Sequence, residues 1–424
     1  MTLAILGGTP VRRAPFPDCN TIGAEEKAAV AAVLDSGVLS QFVGVWGPDF
    51  LGGPRVRALE SAWAGYFGVQ HAVAMNSATS GLYAAVGAAG VGPGDEVIVS
   101  PYTMSASAAA AVVYGAVPVF ADIDPDTFCL DPASVHARLT DRTRAIIGVD
   151  LFGHPAPWRE LRELVSGRGI VLIEDAAQAP GARDGDRWAG TLGDIGVFSL
   201  NYHKTIHCGE GGVVVTDDER LAERLQLIRN HAEAVVKAKG EEDLVNLVGF
   251  NYRMTEVEAA IALEQLRKLD ALVAPRVAAA DYLSARLRHL PGLRPPVVRP
   301  GVRHGYYVYA LRYDAAAAGI PRGRFAEALR AEGVPVAVGY VEPLYRQPMY
   351  RRRIGFGSAG FPFVQAGRPA VSYPDGLCPV TERMHEQELL YLSFINARTS
   401  VGDLDDVVAA CDKVLSRSAA LVSG

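Results

Sequence analysis

The sequence predicts an α/β chain: a mainly parallel central sheet with helices on both faces, followed by a smaller C-terminal α+β unit. Three observations predict it. Short apolar, β-branched runs alternate with helix-period segments between residues 73 and 216, and strands joined by helical crossovers pair in parallel and are buried on both faces. The alternation then stops at Thr255-Glu-Val-Glu258, a capping box that opens a helix and leads into shorter, mixed segments. Finally, 424 residues are too many for one small core, so two or three units are expected.

The elements follow in order. Residues 1–22 are rich in Pro and Gly and read as an arm, and a short amphipathic helix follows at 25–34. Residues 44–55 are again irregular. Strand-like runs lie at 73–75, 96–100, 117–122, 145–150, 170–175, 196–200 and 212–216, with helical patterns at 80–89, 132–139 and 157–166. Helical spacing from Val257 runs through Ile261, Leu266, Leu269 and Leu272 to Pro275, where a break is expected before a second helix at 276–290. Beyond Pro291 come a strand at 306–311, a helix at 322–332 and a last helix at 404–416. The division expected is an arm at 1–24, a large domain at 25–265 and a small C-terminal domain at 266–424.

Composition narrows the function classes. The 41 basic and 47 acidic residues leave a formal charge of −6, which argues against general affinity for nucleic acid. The longest apolar stretch, 106–120, is Ala-rich and broken by Ser107, Gly115 and Pro118, so no membrane span is expected. The start, MTLAILGGTPVRR, carries its charge after the apolar part, so export is not expected and a cytoplasmic location is. Cys19, Cys129, Cys208, Cys378 and Cys411 are odd in number and lack a CxxC pair, which suggests reduced thiols rather than zinc or disulfides. His203 and His207 stand four apart without the acid of a HExxH site, so no metal is expected.

Four spots align on the inferred sheet. Asn76-Ser-Ala-Thr-Ser-Gly81 is a Ser/Thr-rich turn opening a helix, and suits a phosphate or a plain N-cap. In Ile173-Glu-Asp-Ala-Ala-Gln178, Asp175 falls at a strand's carboxyl end, where it could keep a pyridine nitrogen protonated or simply cap a helix. In Phe198-Ser-Leu-Asn-Tyr-His-Lys204, the lysine could be an amine nucleophile with a lowered pKa, or a surface residue. In Gly249-Phe-Asn-Tyr-Arg-Met254, Asn251 and Arg253 could reach an anion or serve a turn. With Tyr102 as a planar stacking residue, the ordered set describes a pyridoxal phosphate site. A nicotinamide dehydrogenase is disfavoured, because Gly87-Ala-Ala-Gly90-Val-Gly92 does not follow a strand.

The series GDEVIVSPYT, VFADIDPDTFCLDP, IEDAAQAPGA, GTLGDIGVFSLNYHKTIHCGEGG and NYRMTEVEAAIALEQL resembles the sugar aminotransferases of the DegT/StrS type, which are fold-type-I enzymes of pyridoxal 5'-phosphate. The likeness covers residues 25–290 in order and continues more loosely to 415. It implies that Lys204 forms the Schiff base and later moves protons, leaving pyridoxamine 5'-phosphate between the two half-reactions. It implies that Asp175 faces the ring nitrogen, that Gln178 lies near the ring hydroxyl and that Tyr102 stacks on the ring. Ala78, Thr79 and Ser199 match phosphate contacts, and Asn251 matches one donated by the neighbouring subunit, so a homodimer with shared active sites is implied. There are departures. SLNYHK replaces the common SFHPTK, Tyr102 stands where Phe or Trp is usual, and Tyr345 stands where a His is frequent, in a segment commonly near the sugar.

The reaction implied moves an amino group from glutamate or glutamine to a keto sugar, first of all a nucleotide-linked one in amino-sugar, antibiotic or polysaccharide biosynthesis. Tyr345 and Arg346 are the substrate-side residues expected; Arg346 and the run 351–353 could meet a diphosphate, or the run could be a solvated basic loop. The ending LCPVTERMHEQELLYLSF resembles instead the branch that aminates keto-cyclitols of the inosose type in aminoglycoside assembly. A sugar dehydratase of the same fold would carry His in place of the lysine. Lys204 is present, with His203 beside it.

Overall fold

The computed structural model describes residues 2–365 and 370–422. A seven-stranded sheet is built from β1 (His71–Met75), β2 (Glu96–Val99), β3 (Val117–Phe120), β4 (Thr143–Val149), β5 (Val171–Asp175), β6 (Ile195–Ser199) and β7 (Gly212–Thr216). Their order across the sheet is β1-β7-β6-β5-β4-β2-β3. Strand β7 runs antiparallel to both neighbours, and the pairs from β6 through β3 are parallel. The sheet is apolar on both faces. One face carries Val73, Val99, Ile147, Ile173 and Val214 against the helices Ala78–Ala88 and Ser105–Val113. The other splits between a cluster around Ile146, Leu172 and Trp158 and one around Phe198, Val213 and Trp63.

A second core forms on a four-stranded antiparallel sheet of β8 (Leu293–Arg294), β9 (Tyr309–Tyr313), β10 (Ala337–Val338) and β11 (Leu389–Leu392), in the order β8-β9-β11-β10. The helices Leu269–Leu287, Arg322–Ala331 and Val401–Leu415 cover it. The arm joins this core through buried Leu3, and Glu332 accepts from the N–H groups of Ala4 (2.8 Å) and Val11 (3.1 Å). By contrast, Leu344, Tyr345, Tyr350, Phe363, Tyr373 and Cys378 pack into the core of the central sheet.

The capping box at Thr255 forms as expected, with Thr255 Oγ1 accepting from Glu258 N and Glu258 accepting from Thr255 N. The break expected at Pro275 lies instead at Lys268 (φ −92°, ψ −8°), and Pro275 sits inside the helix Leu269–Leu287. A proline there removes one N–H and leaves the carbonyl four residues back, on Ala271, without its helical donor. Ala271 and Pro275 are both exposed, so water can take that carbonyl. The helices Pro54–Phe67, Ser105–Val113, Glu219–Arg229 and Ala232–Lys239 were not anticipated. No helix among the described residues is long and apolar enough to cross a membrane, and no cluster there has the make-up of a metal site.

Candidate active site

Strand ends assemble the site. Gly212, the first residue of β7, is the register partner of both Met75, at the end of β1, and Ser199, at the end of β6. Asp175, at the end of β5, lies beside Val197 of β6 and Val149 of β4. The chain leaves β1, β2, β5 and β6 at this one edge, which collects residues 76–79, Tyr102, residues 175–178 and Lys204.

The turn after β1 forms an anion cradle. Ser77 caps the helix Ala78–Ala88 by accepting from Ser80 N (3.0 Å). The first amides of a helix have no carbonyl one turn back, so those of Ala78 and Thr79 face outward at the positive end of the helix dipole. Gly212 is packed so tightly beneath that a Cβ there would lie 2.6 Å from Ala78 N. Ser199 closes the other side, buried and accepting from Asn201 N at 3.3 Å.

Asp175 is almost fully buried. Ser107 donates to its Oδ2 (2.8 Å) and Ala177 N to its Oδ1 (3.2 Å). Burial nevertheless raises its pKa, and those two bonds with the charge of Lys204 offset only part of the effect. The carboxylate is short of positive charge. Lys204 is short of negative charge. Among the described residues its amine joins no ion pair, and it lies 4.7 Å over the ring of Tyr307. Although the residue is only partly buried, surrounding protein desolvates the ammonium and lowers its pKa to about 8, against a smaller upward pull from Asp175. The turn that presents it is closed by Lys204 N donating to Asn201 O (2.9 Å).

Gln178 is clamped at both ends: Phe152 N donates to its Oε1 (2.8 Å), and its Nε2 donates to the hydroxyl of Tyr340 (2.9 Å). Tyr102 is fully buried. Its hydroxyl lies by the Tyr340 backbone without a well-formed hydrogen bond, and burial raises its pKa. Asn251 is exposed at the surface. Its carbonyl accepts from Asn76 Nδ2 (3.3 Å), and its side-chain oxygen accepts from Arg253 Nε (2.8 Å).

The profile of the DegT/DnrJ/EryC1/StrS aminotransferase family matches residues 20–367, which include every one of these strand ends. The chain belongs to this family. An L-glutamine:2-deoxy-scyllo-inosose aminotransferase of Streptoalloteichus tenebrarius is 37% identical over 433 aligned positions, 97% of each chain. The spore coat polysaccharide biosynthesis protein SpsC of Bacillus subtilis is 34% identical over 348 positions, 80% of this chain and 86% of its own. Among solved structures, DesI in the presence of its TDP-sugar product matches with a TM-score of 0.81 at 32% identity, over 99% of this chain and 98% of DesI. The protein is an aminotransferase dependent on pyridoxal 5'-phosphate. Its edge fits that cofactor: a donor-lined cradle for a phosphate, a buried carboxylate lacking a cation and a desolvated amine lacking an anion.

Two expected residues stand apart from this cluster. Tyr345 is fully buried, tilted against Phe120 at 5.7 Å, and donates its hydroxyl to Glu382 Oε1 (2.6 Å). Arg346 is enclosed by Glu386 (2.5 Å), Asp375 (3.1 Å) and Glu382 (3.2 Å). Arg351 also pairs with Asp375. Conversely, Ser107, Tyr307 and Tyr340 contact the site and were not singled out. Ser107 was visible only as a break in an Ala-rich stretch, and no local motif marked the two tyrosines.

Proposed function

We propose that this aminotransferase takes an amino group from glutamine or glutamate and delivers it to the carbonyl of a six-membered polyol ring, a keto-cyclitol of the inosose type, in the assembly of an aminoglycoside-like product. The observation that carries the choice of acceptor is the closure of Arg346 and Arg351 by Glu382, Glu386 and Asp375. A diphosphate would have to displace those carboxylates, whereas a neutral polyol would not. The inosose aminotransferases matched along nearly their whole length support the same reading.

Each residue has a task in it. Ala78, Thr79 and Ser199 would hold the phosphate, Tyr102 would stack on the ring, and Gln178 would steady the ring hydroxyl. When bound, the cofactor supplies an electron sink for the carbon–hydrogen bond that must break. Asp175 would face the ring nitrogen and favour its protonated form, gaining in return the cation its burial calls for. Lys204 would be the amine that holds the cofactor's aldehyde. Once freed by the donor, its Nζ carries the proton, which a pKa of about 8 permits near neutral pH. The partner copy of a homodimer would receive Asn251. That surface is apolar and open, with Val45 70%, Trp46 40% and Val248 65% exposed, and Asn230 ties it to Asn251 by donating to the carbonyls of Val43 and Phe50 while bridging Asn251.

A second reading has its own support. The likeness to DesI with a TDP-sugar product, and the exposed Arg352 and Arg353, which no ion pair among the described residues engages, favour a nucleotide-linked keto sugar. Assays of the second half-reaction with keto-cyclitols and keto sugars, each with added nucleoside diphosphate, separate the two. Turnover of the cyclitol unaffected by the diphosphate supports the first reading. Competitive inhibition by the diphosphate, with turnover confined to nucleotide sugars, refutes it.

A further inference from the structure

The stacking residue Tyr102 has a neighbour that the roles above leave unused. Two rings meet it edge-on: Tyr340, at 5.9 Å and 90°, and His385, at 6.3 Å and 82°. The hydroxyl of Tyr340 is committed to Gln178. The Nδ1 of His385, by contrast, is buried with no hydrogen-bond partner among the described residues. Histidines kept for structure normally bond their buried nitrogens, because an unpaired one carries an unrecovered desolvation cost.

The ring is also deliberately supported. His385 is the second residue of the π-helical turn Met384–Glu388, a wide turn that recurs at functional sites. One guanidinium gathers its carbonyls: Arg322 donates to Met384 O (3.3 Å), His385 O (3.0 Å), Glu386 O (2.6 Å) and Leu389 O (3.0 Å). Gly339, at φ +62°, backs directly onto the histidine, where a Cβ would lie 2.8 Å from His385 O and 3.0 Å from Nδ1. The residue is partly exposed although Nδ1 is buried, so the Nε2 side is the part it can turn toward a ligand.

The charged groups facing the ring are Arg322, Arg346, Glu386 and Glu342. Burial first, and then the two arginines, lower its pKa, so the imidazole is neutral at pH 7. With no partner on Nδ1 to fix the tautomer, Nε2 can either donate or accept. A hydroxyl, which does both, matches that property. A phosphate, which needs donors and positive charge, does not.

We propose that His385 is a specificity-determining contact for the acceptor, meeting a ring hydroxyl near the carbonyl that is aminated. The inference rests on the polyol reading of the acceptor. Its test uses the full chain with pyridoxal 5'-phosphate and two variants, His385→Phe, which keeps the edge contact with Tyr102, and His385→Gln, which restores a donor and an acceptor. Amine uptake from glutamine, followed by the cofactor's absorbance, and amine delivery to the keto-cyclitol are measured separately. His385→Phe should raise the KM for the cyclitol by about tenfold or more while uptake changes less than about twofold, and His385→Gln should recover part of the loss. An unchanged acceptor KM in His385→Phe overturns the inference, as does an equal loss in both half-reactions, which marks a packing role. If the wild-type protein itself aminates no keto-cyclitol, the acceptor reading fails and this contact falls with it, a result distinct from an active wild type with an unchanged His385→Phe.

Discussion

Two groups of charged side chains, one around Arg346 and one at the edge of the central sheet, differ in how well they are satisfied. Arg346 is matched by acid: Glu382, Glu386 and Asp375 lie within ion-pair distance of it, Arg351 shares Asp375, and Tyr345 bonds Glu382. At the edge of the central sheet, Asp175 is raised by burial despite two hydrogen bonds, and the amine of Lys204 lies over a ring rather than against a carboxylate. A protein leaves buried charge unmatched only where something else completes it. The first cluster therefore ties residues 345–351 to residues 375–386, and the second fits a cofactor.

Four outcomes would break or sharpen that contrast. The largest follows Lys204→Ala. Overall amine transfer should fall at least about a thousandfold, with the cofactor bound but lacking its imine absorbance. Next, Asp175→Asn should lower turnover by about a hundredfold or more at unchanged fold, read from kcat and circular dichroism. A wild-type rate there would place the ring-nitrogen partner elsewhere. Third, the rate at which cofactor-free protein captures pyridoxal phosphate should depend on pH. The folded ammonium has its pKa lowered to about 8, so the reactive neutral amine grows about tenfold per unit below that pH and levels off above it. A rate still climbing steeply at pH 10 would show that Lys204 keeps its ordinary value. Smallest, Arg346→Ala should lower Tm by a few degrees by freeing three carboxylates, while leaving any inhibition by nucleoside diphosphates unaltered. Loss of such inhibition would return Arg346 to the substrate side.

The sequence made the sheet edge legible because its signals are local. An acid follows an apolar strand at Asp175, a Ser/Thr turn opens a helix at Ala78, and a lysine sits five residues beyond β6, so each can be read within one strand and the turn after it. Ordered together, they carried the family resemblance. What stayed hidden depends on contacts between distant residues. Ser107 reaches Asp175 from a helix 68 positions away, and Tyr340 reaches Gln178 across 162. Nothing in an Ala-rich stretch or a GYVEP segment announces those bonds. The ion pairs of the arginine segment were hidden for a related reason: Glu382 and Glu386, which pair with Arg346, lie far beyond it in the chain. Pro275 misled because the helix continues through it, at a point where Ala271, whose carbonyl loses its donor, is exposed to water.

One amine of the chain must carry the cofactor. Reduction of the freshly prepared, cofactor-loaded protein with borohydride, followed by peptide mapping in a mass spectrometer, reads that directly. The pyridoxyl adduct should lie on the peptide containing Lys204 and be absent from it in Lys204→Ala. An adduct on a different lysine of the wild-type chain, or none at all, would contradict the account.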